Sequence, residues 1–377
     1  MRFLWFALAL TLALPRAASA QEKIPERLSR MEYEDGWLKL FDGATTFGWQ
    51  TGGAGEWKVT GGALTSPDSG ESVISTTSQF ADFEMNVTLE SDIGIHYFFS
   101  DGANDGDNKL KLTNIDAGLW GPNDPKITPH ILSVRAVGNN MVVFRDGKYP
   151  RKFKRKNLRS AIAFRIDHPK GISGTTRISS VKLRPLNLTS IFDGKDLNGW
   201  KPLPGHKSVF SVSREGWLSI KNGNGDIQTE TSYSDFTTQM DVFSNGDHLN
   251  SGIFFREKPG EFWNGYECQI RNQWEGKDRT KPIDTGTGGL YFRQPARKVV
   301  SSDREWFTMT INAVGRHIAI WTDGYQTADF QDTRPAGDGM ARDNFRATGV
   351  LGLQGHDPTT DLSFRNIKIG ELPPIKP

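Results

Sequence analysis

The sequence predicts an all-β protein built as two tandem sandwiches, and three observations carry that reading. Short stretches of alternating apolar and polar residues recur along the chain, separated by Gly, Asn and Asp at turn positions, as in antiparallel strands joined by hairpins. Forty glycines, 23 Phe and 11 Trp accompany few runs of helical periodicity, which tips the composition the same way. The chain also echoes itself in order, the mark of an internal duplication.

The first 20 residues, MRFLWFALALTLALPRAASA, have an early arginine, an apolar run over 3–14 and an A-x-A site before Gln21. They are expected to be a secretory signal peptide, cleaved from an exported, periplasmic or extracellular product. The apolar run is too short to span a bilayer, so no membrane insertion is expected. Removal of Arg2 and Arg16 leaves 44 basic against 44 acidic residues. A formally neutral chain has no electrostatic pull toward nucleic acid or a charged membrane surface, so the expected partner is neutral and polar. Cys268 is the one cysteine. Without internal disulfides an exported chain must rely on large cores, and 377 residues suffice for two.

Residues 21–35 read as a short polar leader. Then GWLKLFDGATTFGW (36–49) is echoed by TSIFDGKDLNGW (189–200), each with an apolar strand, an Asp-Gly turn and a tryptophan. WKV with GGALTS (57–66) matches FSVSREGWLSI (210–220), and FADFE (80–84) matches YSDFT (233–237). YFFS (97–100) matches IFFR (253–256), FRDG (144–147) matches WTDG (321–324), and RISSVKLRP (177–185) matches LSFRNIKIG (362–370). The domains are therefore placed at 36–186 and 187–372, with RPLNLTS (184–190) as the joint. The offset between copies is 156 residues at Tyr97 and Ile253 but 177 at Asp146 and Asp323, so the second copy carries 21 extra residues there. Long loops on a rigid sandwich are where binding concentrates, which marks the second copy as the working domain.

Within it, NGDHLNSGIFFREKPGEFWNGYECQIRN (245–272) reads as two strands around a turn-rich loop. Ile253 and Phe255 point to a core, with Cys268 and Ile270 beside them as apolar filling. Period-two alternation assigns Asn250, Arg256, Glu267, Gln269 and Arg271 to the opposite, polar face. Such a face is costly to bury unless solvent or a ligand meets it. Glu267 could serve as a base, and Arg256 with the amides of Asn250 and Gln269 could fix sugar hydroxyls. The plainer alternative is an exposed Arg–Glu ion pair of little energetic weight.

GVLGLQGHDP (349–358) adds Gln354 and His356 on one face of a late strand, His356 being suited to proton transfer near neutrality. GGLYFRQP (288–295) places Tyr291 and Arg293 together, and Trp263 and Trp274 flank the Glu267 strand, where aromatic faces could stack on a sugar or simply close the sandwich. DGANDGDN (101–108) has acidic spacing reminiscent of a calcium loop but lacks its terminal Glu. RKFKRK (151–156) reads as a solvated sheet edge. HExxH, CxxC and GxSxG are all missing, which removes the zincin and serine-hydrolase readings.

FDGKDLNGW, NSGIFFR, GYECQI, the WTDG turn and GLQGH followed by SFRNIKI occur in an order that resembles the 3-keto-disaccharide hydrolase family, over residues 188–371. Residues 37–185 look like a diverged copy. The resemblance implies tandem concanavalin-like, laminin-G-like β-jelly rolls, and hydrolysis or eliminative cleavage of 3-keto-glycosides or disaccharides by the second copy. It implies Glu267 or His356 as base or acid, with Arg256, Gln269 and Asn250 holding the keto sugar, and it leaves room for a divalent metal to assist the enolate. Tyr291, Arg293, Gln354 and Trp263 complete the expected substrate-binding set. Family members carry an acidic residue soon after the YE-x-QI strand, where this chain has Arg271 and Asn272. The rival class is a non-catalytic pair of carbohydrate-binding or adhesion modules.

Overall fold

The computed structural model describes residues 27–53, 55–91, 129–155, 157–168, 171, 173–337, 339–340 and 343–374. The leader peptide, the YFFS segment and the DGANDGDN loop lie outside them. Across the described residues the architecture is that of tandem β-jelly-roll sandwiches with one short helix, Arg30–Glu34.

The two copies share one pairing plan. In the first, strand Glu71–Phe80 pairs with Trp49–Gly53 and Ser160–Asp167 to form the smaller sheet. In the second, Gly225–Tyr233 pairs in the same way with Trp200–Pro202 and Gly349–Gly355. The two halves of the larger sheet, which runs on from one copy to the other through Leu38–Lys39, match as well. The run Thr176–Pro185, Phe83–Ser91, His130–Val137, Asn140–Arg145, Lys148–Lys154 corresponds to Asp361–Glu371, Phe236–Ser244, Trp306–Val314, His317–Thr322, Tyr325–Gln331. Local chemistry repeats too. The Trp49 indole donates to the Leu40 carbonyl at 2.8 Å and the Trp200 indole to the Ile191 carbonyl at 2.7 Å, each nine residues back. Both Asp-Gly hairpins carry positive φ at both residues (49° and 69°; 48° and 75°), the twist that suits a two-residue connection. Lys148–Lys154 is the outermost strand of its sheet, as the basic run suggests.

Each copy has its own apolar core, but the division is not clean. Along His317–Thr322, Ile318 and Ile320 join the core of the second copy, while Ala319 and Trp321 join that of the first. The Trp321 ring lies 6.3 Å from that of Phe80. Lys39 bridges to Tyr325, Thr77 donates to Asp329 at 2.8 Å, and Arg159 pairs with Asp235 across the same seam. The polar leader proves to be structural at its end. Ser29 and Glu32 form a capping box, Leu28 and Tyr33 are buried, and Arg27 pairs with buried Asp323.

Among the described residues the smaller sheet of the second copy has the spatial order Trp200–Pro202, Gly225–Tyr233, Gly349–Gly355, Ser251–Glu257, Tyr266–Ile270. The functional question lies on this sheet.

Candidate functional site

Register decides which side chains meet. Ile253 opposes Cys268 and Phe255 opposes Tyr266, and all four pack into the core. Gly252 opposes Gln269 and Phe254 opposes Glu267 on the other face, where Gln354 also lies. Cys268 is fully buried and its thiol is pushed up by burial, an inert filler rather than a nucleophile.

Loops convert this face into a cavity of about 250 Å³, lined by Asn224, Asn250, Phe262, Trp263, Glu267, Gln269, Tyr291, Gln354 and His356. Seven of the residues expected from sequence are thus brought together: Glu267, His356, Asn250, Gln269, Tyr291, Gln354 and Trp263. Arg293 lines a smaller adjoining hollow with Trp263, Glu267, Tyr291, Phe292 and Met340.

Arg256 requires a correction. It is wholly buried and directed away from the cavity, donating to the carbonyls of Ser234, Gly315 and Arg346 and pairing with Asp235 at 3.2 Å. The strand shifts register between Phe254 and Glu257, and Arg256 has φ 48°, so alternation stops before it reaches this residue. No Arg256–Glu267 ion pair forms, and the plainer alternative falls with it. Arg271 also stays out of the cavity lining; it donates to Gln273 and pairs with Asp284 at 3.2 Å.

Glu267 brings a carboxyl to the cavity lining. Its Oε2 accepts the Trp263 indole N–H at 2.9 Å, and its Oε1 lies 2.6 Å from where a Cβ on residue 252 would be, so a larger residue there would displace the carboxylate. Burial pushes the carboxyl up to about 7; the Trp263 hydrogen bond opposes this and the Asp284 charge adds to it. A carboxyl poised near neutrality in a cleft is what general base chemistry needs.

At the mouth, His356 Nδ1 lies 2.9 Å from Asp357 Oδ2 and Nε2 lies 3.2 Å from the Asn250 amide nitrogen. An amide N–H can only donate, so Nε2 is the acceptor and Nδ1 carries the proton toward Asp357. Burial pushes the Asp357 carboxyl up, but hydrogen bonds from Thr359 and His356 outweigh it and hold the group below its ordinary value. The imidazole therefore presents an unprotonated nitrogen toward the cavity side.

The amides form a network around a residue that sequence reasoning missed. Asp284 Oδ2 accepts from Asn250 at 3.1 Å, Gln269 at 3.2 Å and Arg271 at 3.2 Å. It supplies a carboxylate beside Arg271. Asn224 and Phe262 were also unforeseen; both come from loops, and only the Asn-Gly and Pro-Gly turn chemistry around them hinted at a role. Among the described residues, Gln269 Oε1 and Gln354 Oε1 are buried acceptors with no donor. Both residues line the one cavity. Trp263, Tyr291 and Phe292 cluster at one side, with Trp263–Phe292 centroids 5.9 Å apart. Among the described residues no group of three or more His, Cys, Asp or Glu could hold a metal ion, and the donor set of the cavity does not fit a metal cage.

A family model described as a 3-keto-alpha-glucoside-1,2-lyase-like domain matches residues 36–108 and 187–370. None of the curated proteins is significantly similar to this chain. Among solved structures, a protein of Parabacteroides distasonis ATCC 8503, provisionally described as a glycosyl hydrolase, aligns at 23% identity and TM-score 0.41, covering 49% of this chain and 94% of its own. The carbohydrate-binding module CBM66 from Bacillus subtilis aligns at 18% identity and TM-score 0.35 over 48% of this chain and 99% of its own. A Bacillus subtilis protein of unknown function with a galectin-like fold aligns at 12% identity and TM-score 0.36, covering 49% and 95%.

Proposed function

The chain belongs to the family of 3-keto-alpha-glucoside-1,2-lyase-like domains, and from that premise we propose that the cavity of its second sandwich cleaves a glycoside oxidised at C3. The observation that carries the reading is one cavity joining a buried carboxyl poised near pH 7 to two unpartnered amide oxygens and an aromatic wall.

The 3-ketone acidifies the hydrogen at C2. Ionised Glu267 takes that proton, and the C2–H electron pair moves into a C2–C3 enolate with its charge on the ketone oxygen. N–H and O–H donors lining the cavity, from Asn224 and Tyr291, stabilise that charge. Collapse of the enolate breaks the bond from C1 to the leaving oxygen and leaves a C1–C2 double bond conjugated with the ketone. The leaving oxygen takes up a proton, delivered by water or by His356 after His356 has gained one. Addition of water across that double bond then completes hydrolysis; without it the reaction is an elimination. Gln269 and Gln354 accept from sugar hydroxyls, and Trp263 and Tyr291 cover an apolar sugar face. The first sandwich serves as scaffold, and residues 1–20 direct export.

The test is incubation of the mature chain with a 3-keto-glucoside, comparing wild type with Glu267→Gln and His356→Ala. Turnover that is lost in Glu267→Gln and rises with pH through about 7 in the wild type supports the assignment. Saturable binding with no turnover in any form points instead to a carbohydrate-binding module pair. N-terminal sequencing of the exported protein at Gln21 tests the leader.

A further inference from the structure

On the same face of this sheet as Gln354 two further carboxyls meet, outside the proposed chemistry. Asp226 lies on strand Gly225–Tyr233 and Glu257 closes strand Ser251–Glu257, with Gly349–Gly355 between them. Gly352 on that middle strand leaves a gap that both acids enter. A Cβ there would lie 2.5 Å from Glu257 Oε2 and 3.0 Å from Asp226 Oδ2, so both oxygens crowd the room of one missing methyl group. Both residues are fully buried.

Their remaining contacts lead to the catalytic loop. Glu257 Oε1 accepts the Trp263 backbone N–H at 2.9 Å. Gln228 links Asp226 to the same loop: its Nε2 donates to Asp226 Oδ2 at 3.2 Å and to the Glu261 carbonyl at 3.3 Å, and its Oε1 accepts the Gly260 N–H at 2.8 Å. Trp263 in turn donates its indole N–H to Glu267. The path from Glu257 through Trp263 to the proposed base is therefore continuous.

Asp226 Oδ1 and Glu257 Oε2 have no donor among the described residues. Two ionised carboxylates in a dry site repel strongly, whereas one proton held between them supplies the missing partner and leaves a single charge. The surroundings do not offer another solution. Strand Gly349–Gly355 has no titratable side chain. His206 packs against Gly225 and its interaction acts to lower Asp226; Lys258 and Glu261 of the loop pair with each other, and Glu267 faces the cavity beside Gly252. Burial, followed by the charge of its neighbour, drives Glu257 well above the ordinary carboxylate range, and burial raises Asp226.

We infer that Asp226 and Glu257 form a buried acid pair that locks the 258–264 loop and thereby sets the position of Glu267. They are positioning residues and touch no substrate. The pair holds below the pH at which its shared proton is lost; above it, two charges face each other and the loop is released. This inference concerns the loop and stands apart from whether the cavity turns over a 3-keto-glycoside, so its test does not depend on activity.

The experiment is amide hydrogen exchange of segment 258–264 from pH 6 to 10, corrected for the intrinsic rise of exchange with pH. Wild type should lose protection at alkaline pH by about tenfold or more. Glu257→Gln keeps an oxygen for the Trp263 N–H and replaces the shared proton with a permanent N–H, so its corrected exchange should stay flat. Asp226→Asn supplies the N–H from the other side and should also stay flat, which guards against misfolding of either variant alone. Equal pH dependence in wild type and both amide variants, or no alkaline loosening in the wild type, would overturn the inference.

Discussion

Replacing Glu267 by Gln should stabilise the folded chain, and by an amount that depends on pH. In the fold the carboxyl titrates at about 7 against an ordinary value of 4.5. Below 4.5 it is protonated in folded and unfolded chains alike, and titration costs nothing. Between 4.5 and about 7 the folded chain keeps a proton that the unfolded chain has released, so wild-type stability falls as pH rises. Above about 7 both forms are ionised and the loss is complete. At about 1.36 kcal/mol for each pH unit the full loss is about 3 kcal/mol, to order of magnitude. The substituted amide carries no charge at any pH, and its carbonyl can still accept from Trp263. Urea unfolding of both proteins from pH 4 to 8 isolates this term, because Asp226, Glu257 and Asp323 titrate in both. The difference in unfolding free energy should widen by about 3 kcal/mol from pH 4 to pH 8 in favour of the variant. Parallel curves would refute the view of Glu267 as a desolvated carboxyl, and the general-base assignment with it.

Trp263→Phe removes the indole donor that opposes the effect of burial, so the acid limb of turnover should move up by about one pH unit, read from kcat/KM against pH. Gly252→Ala puts a methyl group 2.6 Å from Glu267 Oε1; the carboxylate must move, kcat/KM should fall more than about tenfold, and stability should drop by about 1–3 kcal/mol. Trp321→Ala should cost about 3–5 kcal/mol and lower a single calorimetric transition, because its ring fills the core of the first copy from a strand of the second. Two separate transitions in the wild type would contradict that sharing.

The duplication and the strand class were legible because hairpin turns and alternation are local. Asp146-Gly147 and Asp323-Gly324 announce the same turn wherever they occur. Glu267, Gln269 and Cys268 were assigned to their correct faces for the same reason. Arg256 was not, because a register shift and a left-handed backbone reverse its direction, and nothing in IFFRE signals either. Gln354 joins the cavity and His356 reaches Asn250 only because Gly349–Gly355 pairs with Ser251–Glu257, nearly a hundred residues apart in sequence. Asp284 was hidden in a loop with no periodicity to read. The acid pair was not read from the sequence at all: Asp226 and Gln228 share a strand face, but the glycine at 352 that admits both carboxyls has meaning only once three strands are aligned.

Strand His317–Thr322 gives one side to each core, which has a bearing on how such a molecule can change over time. Most duplicated modules can be lost, swapped or grafted singly, since each carries its own interior. Here, excising residues 36–186 would strip Trp321 and Ala319 of their cover and leave an oily stripe on whatever remained. The first copy is thus a wall of the house for the second, through the face that shelters Trp321.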